Sequence, residues 1–201
     1  MFFGDYMGIL SGSMNLFRVY FNDPFSFNTL ELSDILEEYS FNALYSDEKN
    51  VNYGFVPFEY PEKESFQDSS LLYGEHILFG MRYDEKKINA KYFNLEFAAL
   101  KKKFMEENRK EFLSKMDVEF IKNTLTNRLT KSAVPNSTIV EILLVPENKE
   151  AFISVQSTKI FEALSHLFKS AFDISIYQET FVELAKRVLN NPSKMDRVLQ
   201  L

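Results

Sequence analysis

Residues 137–156 read STIVEILLVPENKEAFISVQ. Two runs rich in β-branched and apolar residues flank the polar cluster PENKE at 146–150. That pattern predicts a β-hairpin, because such side chains suit a pleated surface and the cluster between them suits a turn. Ser157 follows at once. Ile160, Phe161, Leu164, Leu167, Phe168 and Phe172 then recur at three- and four-residue steps. This predicts an amphipathic helix capped by Ser157, with those side chains on one face. The order strand, strand, helix at this point excludes an all-α chain and directs attention to what lies on either side.

Downstream, DISIYQ (173–178) reads as a further strand and ETFVELAKRVLNN (179–191) as a last helix ended by Pro192. Upstream, residues from about 90 to 130 read as helical. Tyr92, Leu95, Phe97, Leu100 and Phe104 repeat at helical steps, as do Met116, Phe120, Ile121, Leu125 and Leu129. Ser114 followed by Asp117 marks a helix start, so two helices are expected there. LLYGEHILFGMRYDEKKIN (71–89) reads as one or two strands, YGFVP (53–57) as a short extended piece, and EYPEKESFQDSS (59–70) as a surface loop. TLELSDILEEYSF (29–41) reads as a helix with Asn28 or Thr29 as its N-cap, and NLFRVYF (15–21) as the opening strand.

The resulting order is β-α-β-β, a helical excursion, then β-β-α-β-α. It predicts an α+β fold: a mixed or antiparallel sheet core from residues 14–89 and 132–201, interrupted by a helical tip sub-domain at 90–131. Met14 offers an alternative start, which would leave residues 1–13 as an N-terminal extension.

Composition removes several classes of function. The 201 residues include 21 Phe and no Trp or Cys, with 45% hydrophobic content. A core is affordable, whereas a disulfide scaffold, a cysteine zinc site and a thiol nucleophile are excluded. No apolar run reaches the roughly 20 residues of a spanning helix, and the first residues lack the basic region of a signal peptide. A cytoplasmic protein with no membrane partner is expected. Its two histidines, His76 and His166, have no second histidine at ligand spacing, so each is read as a structural side chain and no metal is expected. The carboxylates of DILEE (34–38) are read as a solvated helix face rather than two-metal ligands. No GxGxxG or GxxxxGK is present. Neither a catalytic residue nor a cofactor is therefore expected. Aromatic residues can serve as base-stacking platforms, but most of the Phe residues fall at core-periodic positions, and packing accounts for nearly all of them.

The informative feature is charge. The chain has a net charge of -6, yet residues 86–131 hold twelve of its 23 Lys and Arg against six acids. ALKKKFMEENRKEF (99–112) concentrates Lys101, Lys102, Lys103, Arg109 and Lys110, and Lys115 follows. A cationic helical arm on an anionic body suits phosphate contact without base reading, since neutralised phosphates release counterions. The competing reading is a solvated helical face in which Glu106, Glu107 and Glu111 offset their neighbours. On charge alone that plainer reading stands slightly ahead.

Several strings, in order, resemble the recombination-associated RdgC family of bacterial DNA-binding proteins. MNLFRVYFNDPFSF resembles the family's opening strand, and YGFVP its F-G-W-V-P-P. HILFGMRYDEKKIN is similar to the strand that leads into the helical part. NRKEFLSKMDVEFIKNTLTNRL stands where the family has G-R-K-L-x-K and a helix. IVEILLVPENKEAFISVQSTKIFEALSHLFKSAF resembles its hairpin and following helix. The likeness spans roughly residues 14–175.

The resemblance implies a nucleoid-associated homodimer that binds DNA without sequence preference and restrains a RecA-type recombinase by occupying DNA. Lys101, Lys102, Lys103, Arg109, Lys110 and Lys115 would contact phosphate. The stretch LTNRL (125–129) replaces the family's L-L-P-R-A-F, which places Leu129 near a dimer contact. The chain is also shorter than the family's members, so the resemblance is to one lacking the C-terminal region. A protein-interaction module without DNA binding is the alternative.

Overall fold

The computed structural model describes residues 8–9, 14–43, 50–67, 69–154, 157–178 and 184. The fold is α+β. Its strands are β1 (Phe17–Phe21), β2 (Val51–Val56), β3 (Leu72–Tyr73), β4 (His76–Glu85), β5 (Asn136–Val145), β6 (Glu150–Ile153) and β7 (Ile176–Tyr177). Its helices are α1 (Thr29–Glu38), α2 (Ala90–Glu107), α3 (Lys115–Ser132) and α4 (Thr158–Phe172). The strands are hydrogen-bonded in the order β2-β4-β5-β6-β1-β7, with β3 paired to β4. The pairs β1–β6, β1–β7, β3–β4 and β5–β6 are antiparallel. The helix expected at 179–191 lies outside the described residues apart from Leu184.

Contacts divide the chain into two units. One comprises residues 1–41, 54–82 and 139–201; the other comprises 42–53 and 83–138. The second thus takes in the ends of β2, β4 and β5 as well as both helices of the excursion.

In the first unit the hairpin forms as its side chains dictate. Ile142 faces Ile153 and Leu144 faces Ala151. Between the strands, Pro146–Asn148 makes a 3₁₀ turn and Lys149 takes a left-handed φ of 53°. Alternation along β5 buries Val140, Ile142 and Leu144, the period of two that a one-sided core requires. On α4 the buried residues are Ile160, Ala163, Leu164, Leu167, Phe168 and Phe172. Ser157 holds the N-cap position, but its hydroxyl makes no capping hydrogen bond. Asn28 caps α1: its Oδ1 accepts from the N–H groups of Leu30 and Glu31, and Glu31 reaches back to the Asn28 N–H at 3.1 Å. Leu32 and Leu36 are the buried face of that helix.

An aromatic cluster fills the space. The Phe168 ring lies 6.0 Å from Phe21, 5.9 Å from Phe55 and 5.3 Å from Phe172. Phe55 meets Phe79 edge-on at 5.4 Å, a favoured arrangement of ring quadrupoles. Two glycines are required by geometry. Gly74 opens the β3–β4 turn with φ +67°, a conformation that costs other residues strain. At Gly54 a Cβ would stand 2.5 Å from the Phe41 backbone, because the chain leaving α1 bridges β2 there.

On β5, Glu141 accepts a hydrogen bond from the Ile9 N–H at 2.6 Å. Burial pushes its carboxyl above the usual range, and the Ile9 bond opposes that shift. Two residues of the expected N-terminal extension, Gly8 and Ile9, therefore meet the sheet.

In the second unit α2 and α3 pack together as a helical hairpin. Ile121, Leu125 and Thr130 are its buried residues on α3, while α2 has no buried residue. The base of the hairpin is tied through Asn50. Its carbonyl accepts from the Lys86 N–H at 2.8 Å, and its side-chain oxygen accepts from Thr130 Oγ1 at 3.1 Å. Tyr53 and Tyr83 stack at 6.2 Å beside it.

Candidate nucleic-acid interface

The turn joining α2 to α3 is built by two local devices. At its start, the Arg109 N–H donates to Glu106 O at 3.3 Å and the Lys110 N–H to Met105 O at 2.9 Å. This double pattern closes a helix through a left-handed residue, usually glycine. Here Arg109 holds that position with φ 51°, a conformation that crowds a Cβ. At its end, Ser114 and Asp117 form a reciprocal capping box. The Ser114 N–H and hydroxyl both donate to Asp117 Oδ2, at 3.0 and 2.8 Å.

Lys110 reaches across the turn and donates to both oxygens of Asp117, at 2.9 and 2.8 Å. Those two bonds, followed by the ones from Ser114, hold the Asp117 carboxyl down to about 2. The sign follows from the direction. A depressed carboxylate stabilises the fold above its ordinary pKa of 3.8, and that contribution is lost as pH falls through about 2. A carbon-detected NMR titration is expected to place the Asp117 midpoint near 2 in the native protein. In Lys110→Met the midpoint rises toward the ordinary value. An unchanged midpoint in that variant would detach Lys110 from the cap.

The expected phosphate contacts separate into classes. Lys101 lies with its ammonium 4.8 Å from the Phe97 ring centroid. Lys103 meets Glu107 at 3.7 Å, with both groups largely in water, where such a pair contributes little. Lys110 is held by Asp117. Lys102, Arg109 and Lys115 form no ion pair with a described carboxylate. Consecutive helix residues turn by about 100°, so Lys101, Lys102 and Lys103 cannot share one face. The structure instead groups residues about two turns apart. Lys102, Arg109 and Lys110 line one shallow depression with Met105 and Glu106. Lys115 and Lys122 line a second with Leu113, Val118, Glu119 and Asn123. Lys122 was not among the expected contacts; its signal is the seven-residue spacing from Lys115, which returns a helix to nearly the same face. Leu129 is half-buried in α3, next to the buried Thr130 and at the opposite end of the helix from the 108–114 turn.

Not every basic residue of the excursion is free to act. Arg128 donates to Glu96 at 2.6 Å and Lys87 pairs with Glu85 at 3.1 Å. Lys86 is buried. Pairing with neighbouring carboxylates therefore consumes part of the charge; among the exposed cations without such a pair, Lys102, Arg109, Lys115 and Lys122 lie on or toward the α2–α3 turn, whereas Lys91 and Lys131 lie at the far ends of the two helices. Both histidines are exposed, His76 at the start of β4 and His166 on α4. Among the described residues no group of three or more His, Asp or Glu is placed to hold a metal, and no helix is long and apolar enough to cross a membrane. Comparison of the chain with protein-family models and with curated proteins gives no match.

Proposed function

We propose that this chain is a non-catalytic DNA-binding protein that contacts duplex phosphates without reading sequence, through Lys102, Arg109, Lys115 and Lys122 on the helical hairpin. The single observation that supports the reading is that these four cations, on the second half of α2, the turn after it and the first half of α3, have no carboxylate partner among the described residues. Unneutralised cations at helical spacing release counterions from DNA on contact, and nothing about that attraction depends on bases. Arg109 adds to the case. A helix closed by glycine would be less strained, and a cation there is what a phosphate site would favour over that ease.

The resemblance to the RdgC family extends the proposal. In that reading the chain acts as a homodimer on nucleoid DNA and restrains a RecA-type recombinase by occupying its substrate. Lys101, Lys103 and Lys110 then contribute field more than direct contact, since each already has a ring or a carboxylate beside it.

The alternative, a protein-interaction module without DNA binding, draws on exposed Tyr92 and Leu95 of α2 and exposed Val134. Titration of two labelled duplexes of unrelated sequence separates the readings. Equal affinities within about twofold, weakening with salt, are expected of phosphate contact. Absence of binding at low salt leaves the interaction module.

A further inference from the structure

One carboxylate both braces the turn between α2 and α3 and engages a cation of the proposed interface. Asp117 Oδ2 accepts from the Ser114 N–H and hydroxyl, at 3.0 and 2.8 Å. Those bonds belong to the capping box of α3. Lys110 is no part of that motif, yet its ammonium donates to both oxygens of the same carboxylate, at 2.9 and 2.8 Å. The Asp117 side chain is 15% exposed and that of Lys110 41%.

Lys110 lines the same shallow depression as Lys102 and Arg109. Of those three cations it alone forms an ion pair with a described carboxylate. The geometry of the pair is that of a phosphate contact: one ammonium gripping two oxygens of one anion at close range. A phosphate that enters this depression meets two free cations and a third whose charge is already engaged. To reach Lys110 it has to displace a carboxylate that stays ionised, because the bonds from Lys110 and Ser114 hold Asp117 down to about 2.

We infer that Asp117 is an internal competitor for phosphate: it withholds Lys110 from nucleic acid and keeps the affinity of the turn below what its cations alone would give. This rests on reading the α2–α3 turn as a nucleic-acid interface. Asp117 itself touches no ligand; it acts through Lys110. An amide at position 117 keeps an oxygen that accepts from the Ser114 N–H, and hence the cap, while losing the charge that binds the ammonium.

The test is the slope of log affinity against log salt for a labelled mixed-sequence duplex, measured on the full chain. The native protein, with four available contacts, is expected to give about -3.6, and Asp117→Asn, with Lys110 released as a fifth, about -4.5. Asp117→Asn should bind more tightly, and its advantage should shrink by about threefold between roughly 50 and 200 mM salt. Glu111→Gln is the control for charge alone, since Glu111 is exposed in the same turn and pairs with no described cation. It should raise affinity with the slope kept at about -3.6. In Lys110→Met the slope should change by less than about 0.3, a third of one contact, because Lys110 is already engaged. Should Asp117→Asn melt below the assay temperature, the Lys110→Met slope decides alone. Equal slopes for Asp117→Asn and Glu111→Gln, or a slope flattened by about 0.9 in Lys110→Met, overturn the inference while leaving the phosphate contacts intact. A native slope near zero removes the DNA-binding reading on which it rests.

Discussion

Substituting Lys102, Arg109, Lys115 and Lys122 together with glutamate is expected to abolish retention of the protein on immobilised duplex DNA at low salt. Four phosphate contacts correspond to a change in affinity of about a hundredfold between roughly 50 and 200 mM salt. Reversing each charge removes that attraction and adds repulsion. All four side chains are exposed, so the substitutions should change stability by no more than about 0.5 kcal/mol each, and a thermal melt run beside the binding assay checks it. Arg109 offers a sharper companion. Arg109→Gly relieves a left-handed residue that costs about 1 kcal/mol and also deletes a cation. The variant should melt higher and bind DNA more weakly. A binding site and a purely structural turn predict opposite consequences for selection at that position, and one variant measures both. Full retention of the four-glutamate protein would move the interface elsewhere.

Phe168→Ala is expected to be the most damaging single substitution in the first unit. Phe168 is 1% exposed, and its ring adjoins Phe21, Phe55, Phe79 and Phe172, at 6.0, 5.9, 6.4 and 5.3 Å. Truncation leaves a cavity ringed by stiff aromatic side chains that cannot close over it. Phe→Ala in such sites costs about 3–5 kcal/mol, which for a chain of this size lowers the melting temperature by roughly 10 °C or more. Urea denaturation should show a lower midpoint with an unchanged slope. A loss below about 1 kcal/mol would mean the cluster is not closely packed. The contrast with Phe112→Ala is informative, because the same chemical change in the exposed turn should cost almost nothing in stability.

Phe120, which is 62% exposed, and Phe168 mark how far the sequence could be read. The hairpin at 137–156, the α4 stripe through Phe168, a cap for α1 at Asn28 or Thr29 and the Ser114–Asp117 start were all visible, because each depends on residues close together in the chain. Periodicity could not tell Phe120 from Phe168. A three-four repeat identifies one face of a helix but says nothing of what covers it, and α2 is too narrow to cover all of α3. The interface was legible in its segment and less so in its members. Lys101, Lys102 and Lys103 look like one cluster in one dimension, but helical rotation spreads them over three directions. Lys110 is held by Asp117 across a turn whose closure was not evident, since Arg109 stands where glycine would have announced it. The adjacency of β1 and β6, and the close approach that requires Gly54, depend on distant backbone and left no local trace.

The central claim is that an accessible set of cations on the helical hairpin meets phosphate without reading bases. The most direct measurement is the salt dependence of duplex affinity, on protein of known mass. Four contacts predict a slope of log affinity against log salt of about -3.6, the same for unrelated sequences. A slope near zero, or a slope that differs between sequences, would contradict it.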